Sequence, residues 1–200
     1  KMDKSLQKKI LINTLWSFLG KFSYLIINLI ANIILARILG PEIFGKVAII
    51  LFFITIATVL TESGLSGALV RADKVQDSDY STVFIFNIFV SLILIFIMYL
   101  SSSIIASFYG DESLENLIIV SSVVLIINAF RLTQSTKLVR NMEFKKKYTY
   151  EFISITLASL VGVFLALIGC GVWSLILMQI ANSLILSFIL SFKTDISCSE

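Results

Sequence analysis

Three charged side chains fall inside long apolar runs of this chain: Lys21, Glu62 and Arg131. A charge in hydrocarbon costs several kcal/mol unless it faces water or a partner. Lys21 and Arg131 are cations suited to hold an anionic group in a wet cavity. Glu62 is a carboxylate that needs water or a cation beside it. Each has polar company at helical spacing. Ser17, Lys21, Tyr24, Asn28 and Asn32 fall on one stripe, and Thr55, Thr58, Glu62 and Ser66 on a second. Asn87 and Ser91 pair at i, i+4, and Ser121, Asn128, Arg131 and Ser135 line up. This is chemistry of binding, not of bond breaking. The chain has no histidine, the commonest general base and metal ligand, and its cysteines, Cys170 and Cys198, stand far apart with no metal spacing.

Two roles suit the neutral polar groups. They can line a hydrophilic interior surface, or they can hydrogen-bond across helices and hold them together. Spacing leaves both open for Ser, Thr and Asn. For Lys21, Glu62 and Arg131 the cost of burying charge favours a functional cavity, with a Lys21–Glu62 structural ion pair as the rival reading.

The elements that must position these residues are membrane helices. Of the 200 residues, 58% are hydrophobic, above the 45–50% usual for soluble domains. The excess comes in unbroken runs, and about 20 apolar residues span a bilayer's hydrocarbon as a helix. Six spans are expected: Ile10–Leu39, Gly45–Val70, Thr82–Tyr109, Asn116–Lys137, Tyr150–Gly169 and Val172–Phe192. The fold class is therefore all-α, a polytopic six-helix transmembrane bundle filling residues 1–200. The first apolar stretch is too long for a cleaved signal peptide. Gly40-Pro41, which holds the one proline, reads as a tight corner: Gly ends a helix and Pro suits the first turn of the next. In the fifth span Ser154, Ala158, Gly162 and Ala166 form a small-residue ridge for close helix packing. Gln179, Ser183, Ser187 and Ser191 share a face of the sixth span, which can pack on that ridge or line a pathway. RNMEFKKKY (140–148) is a basic patch, read as a topology anchor or as an entry site for an anionic lipid headgroup.

Charge sets the orientation. Lys1, Lys4, Lys8, Lys9, Arg71, Lys74, Lys137, Arg140, Lys145, Lys146, Lys147 and Lys193 fall on one side if six spans alternate. The other side has Arg37 and Lys46 and an acidic third loop with Asp111, Glu112 and Glu115. The basic side is expected to be cytoplasmic, with both ends of the chain there. The net charge of +3 is small and the basic residues cluster in particular loops, so nucleic acid is a poor partner.

ARILGPEIFG, TESGLSGALVR, LVRNMEFKK and LALIGCGVWSL occur in this order along most of the chain. In these stretches the chain resembles bacterial polysaccharide and O-antigen flippases, the lipid-linked oligosaccharide exporters of the superfamily that also contains multidrug extruders. The resemblance implies two lobes of helices around a cavity that opens alternately to each side of the inner membrane, with this chain as the N-terminal lobe. It also places an acidic residue, often Asp, where Glu62 stands.

On that footing the expected function is flipping of a polyprenyl-diphosphate-linked oligosaccharide for surface polysaccharide assembly. Lys21 and Arg131 would meet the anionic diphosphate. Asn28, Asn32, Asn87 and Asn128 would meet sugar hydroxyls. Glu62 would exchange H+ or Na+ to drive the alternation. No cofactor, metal or covalent chemistry is expected, so the chain is read as a transporter and not an enzyme. The rivals are a multidrug or cation-coupled extruder, whose cationic cargo Lys21 and Arg131 would repel, and a non-transporting assembly protein. A membrane polymerase or ligase would be expected to carry larger outer loops.

Overall fold

A computed structural model describes residues 4–62, 69 and 77–196, with side chains placed for 14–61, 69 and 79–192. Among the described residues six long helices follow one another: α1 (Lys4–Leu39), α2 (Pro41–Glu62), α3 (Asp77–Tyr109), α4 (Ser113–Arg140), α5 (Phe144–Leu167) and α6 (Val172–Ile196). All six are long and apolar enough to cross a bilayer. The helices begin earlier than the apolar runs do, α2 at Pro41 and α5 at Phe144, because polar first turns extend them towards the interface. The expected end of the second span at Val70 lies outside the described residues.

Turn chemistry divides the bundle into two ends. At one end, Gly40 takes φ +80° and its N–H donates to the Ala36 carbonyl, closing α1; Pro41 then opens α2 with Glu42 in its first turn. Gly110 and Gly169 close α3 and α5 with left-handed φ as well. Lys46 near the start of α2 bridges Asp111 in the α3–α4 turn at 2.7 Å. Ile43 reaches to within 3.9 Å of where a Gly171 Cβ would stand. These contacts put three turns at the same end. At the opposite end a guanidinium N–H of Arg140 donates to the Leu69 carbonyl and ties the α2–α3 connection to the foot of α4.

The helix α4 is central. Its apolar window is 56% buried, against 11% for α1. It packs on α2, α3 and α6, while α1 lies against α5 and α5 against α6. The ridge Ser154, Ala158, Gly162 and Ala166 is buried in full, so it acts in packing. A Cβ on Gly162 would lie 2.8 Å from Met178 Cβ, which shows how closely α5 and α6 approach. The outer faces carry exposed apolar side chains such as Phe18, Ile104 and Phe108, as a surface facing lipid tails requires.

Candidate functional site: a polar cavity between α1, α2, α4 and α6

Because α1 leans on α5 and α2 on α4, the two pairs leave a gap between them. A cavity of about 390 Å³ fills it. Val47 and Leu51 of α2 and Ile155 of α5 supply apolar wall, and the polar wall comes from three helices. α1 presents Tyr24, Asn28 and Asn32; α4 presents Asn128 and Arg131; α6 presents Gln179, Asn182 and Ser183. Five carboxamides and one guanidinium thus converge on one space.

The amides are held in place. Asn32 Nδ2 donates to Asn28 Oδ1 at 2.6 Å and to the Asn28 carbonyl at 2.8 Å. That leaves the Asn32 carbonyl oxygen and the Asn28 amide nitrogen to meet a ligand. Asn182 is anchored on α5: the Ser154 hydroxyl lies 2.6 Å from its backbone carbonyl and 2.7 Å from its Oδ1. The Tyr24 hydroxyl lies near Asn182 and in the field of Arg131 and Glu151.

Arg131 stands about two and a half turns from the α4 terminus at Arg140 and lines this space. Below it comes a charged layer. Glu151 of α5 bridges Lys147 at 3.8 Å and interacts electrostatically with Arg131 and Lys21. A cation lining the cavity is thus backed by a carboxylate outside it.

Compared with known sequences, residues 34–199 match the model of a family described as polysaccharide biosynthesis protein. The chain belongs to this family. The chain is 29% identical over 178 residues to the succinoglycan biosynthesis transport protein ExoT of Rhizobium meliloti, covering 89% of this chain and 36% of that protein. It is 21% identical over 181 residues to the lipopolysaccharide biosynthesis protein WzxC of Escherichia coli, covering 90% and 36%. It is 24% identical over 123 residues to the teichuronic acid biosynthesis protein TuaB of Bacillus subtilis, covering 62% and 26%. The chain therefore spans about a third of the length of these curated relatives. No solved structure matches it.

In this family member four of the residues singled out by sequence, Asn28, Asn32, Asn128 and Arg131, line one cavity. Three do not. Lys21 is exposed and stands a turn beyond Tyr24, at the level of Glu151. Asn87 is buried away from the cavity at 1% exposure, on α3, next to Ser91, which donates to the Leu125 carbonyl of α4. The Glu62 side chain lies outside the described residues. Of the α2 stripe, Thr58 donates to the Ile54 carbonyl of its own helix, as Thr61 beside the stripe does to that of Ala57. Sequence reasoning missed Asn182 and Glu151. Asn182 neighbours Ser183 on a face already marked as polar, and Glu151 follows Lys147 at i+4, so both carried a signal.

Proposed function

We propose that this chain is the N-terminal lobe of a transporter that flips a polyprenyl-diphosphate-linked oligosaccharide across the bacterial inner membrane. One observation carries the reading: carboxamides from α1, α4 and α6 and the Arg131 guanidinium line a single cavity. Carboxamides both donate and accept, which suits sugar hydroxyls. A guanidinium matches phosphate oxygens in bidentate geometry. The lipid tail stays in the bilayer, and the step needs no bond made or broken. The names of the relatives, which speak of succinoglycan transport and of lipopolysaccharide and teichuronic acid biosynthesis, support the same cargo class. Arg131 also disfavours the small cationic cargo of an extruder, through like-charge repulsion.

In this proposal Asn28, Asn32, Asn128 and Arg131 contact cargo, joined by Gln179 and Asn182. Lys21 acts from outside the cavity, through Glu151. Glu62 is retained as the group that exchanges H+ or Na+, and the basic end of the bundle faces the cytoplasm. A second lobe completes the cavity.

The test uses the full-length gene in cells lacking their own flippase, scored for surface polysaccharide. Arg131→Ala, Asn128→Ala and Glu62→Gln should each lower surface sugar while protein levels in the membrane hold. Export unchanged in all three would refute the assignment.

A further inference from the structure

The lipid-facing side of the α1–α5 pair holds a second hollow, of about 220 Å³. Its floor is the contact between Gly20 and Tyr148, so close that a Cβ on Gly20 would collide with the Tyr148 ring stem. Trp16 and Leu19 of α1 and Phe152 of α5 form its walls. All three walls are exposed, so the hollow opens where lipid tails lie. From Trp16 to Ser23 it runs roughly 10 Å along α1.

Its mouth is cationic. Three lysines follow one another at the start of α5. Lys146 pairs with Glu143 at 2.8 Å and Lys147 with Glu151 at 3.8 Å. Lys145 is exposed, has no carboxylate partner among the described residues, and sits 4.9 Å over the Trp16 ring. An unpaired ammonium held against an indole at a helix end, above an apolar slot, complements one molecule: a lipid with an anionic head and a straight tail. We infer that this groove binds an anionic phospholipid of the surrounding bilayer, its phosphate at Lys145 and an acyl chain along Trp16, Leu19 and Phe152. The site is separate from the polar cavity, since the two share no lining residue.

The test places a benzophenone amino acid at Phe152 in the full-length protein, in vesicles of phosphatidylcholine and phosphatidylglycerol at three to one. A second probe at Phe86, exposed at similar depth on α3, is the control. Mass spectrometry of the cross-linked lipid should give phosphatidylglycerol enriched about five-fold over the vesicle composition at Phe152 and not at Phe86. Lys145→Glu, at an exposed position, should return the Phe152 ratio to that of the bulk. Equal ratios at both probes, or enrichment that survives Lys145→Glu, would overturn the inference. So would capture of added polyprenyl diphosphate at Phe152 in place of phosphatidylglycerol, since the groove would then belong to the cargo's path.

Discussion

Gly162→Ala adds a single methyl group at the seam between α5 and α6. The new Cβ would lie 2.8 Å from Met178 Cβ, 2.9 Å from Sδ and 3.0 Å from Cγ. The sulfur and Cγ can swing aside, because the methionine side chain is flexible. Met178 Cβ cannot, because the α6 backbone fixes it. Ordinary carbon contacts begin near 3.5 Å, so the helices must part by about 0.7 Å. Overpacking of this kind costs about 1–3 kcal/mol, which for a chain of this size is about 2–4 °C of thermal midpoint per kcal/mol. The proper control is Gly45→Ala, where an added Cβ meets nothing within 4 Å. Purified protein followed by tryptophan fluorescence on heating should show Gly162→Ala several degrees below the parent and Gly45→Ala at or above it. Adding Met178→Ala should not restore the midpoint, because it leaves the fixed Met178 Cβ in place and opens a cavity at a buried site. Equal midpoints for Gly162→Ala and Gly45→Ala would refute the packing argument.

Two further outcomes follow from the turns. The Lys46 ammonium, aided by the Ser113 hydroxyl, holds the Asp111 carboxyl down at about 2, below its ordinary 3.8. A carboxyl depressed on folding contributes stability above its unfolded value and loses it as pH falls through the folded one. The difference in midpoint between parent and Asp111→Asn should therefore hold steady down to about pH 4 and disappear by about pH 2; a difference independent of pH would contradict the bridge. Met142, in the turn between α4 and α5, adopts φ +54° with its side chain 45% exposed. Met142→Gly should raise the thermal midpoint by the equivalent of about 0.5–1 kcal/mol, because glycine adopts the left-handed region freely; a lowered midpoint would contradict it.

Much of the fold was legible because membrane helices must satisfy their own backbone and cover their length with apolar side chains. Glycine and proline marked the α1–α2 corner, and the four-residue recurrence of Ser154, Ala158, Gly162 and Ala166 marked a packing seam. The site was legible in part. Stripes told which residues of one helix share a face, and so grouped Tyr24, Asn28 and Asn32. They did not tell which neighbour that face meets. Asn87 and Ser91 form as regular a pair, yet α3 turns them onto α4, away from the cavity. Lys21 belongs to the α1 stripe, but the cavity ends at the level of Tyr24 and Arg131, so its charge falls beside Glu151 instead. Glu151 stood at the second position of the expected fifth span, where a carboxylate reads as an interfacial residue until α5 is seen to begin at Phe144, about two turns earlier.

The central claim is that the Arg131 guanidinium meets the cargo's diphosphate in the polar cavity. Proteoliposomes holding the full-length protein and a fluorescent polyprenyl-diphosphate sugar give its most direct test, through the rate at which label crosses to the outer leaflet at limiting substrate. A charge-assisted bond contributes about 1.5–3 kcal/mol, so Arg131→Ala should slow crossing about ten- to a hundred-fold. Arg131→Lys, which keeps the charge and loses the fork, should fall between. Crossing at the parent rate in Arg131→Ala would contradict the account.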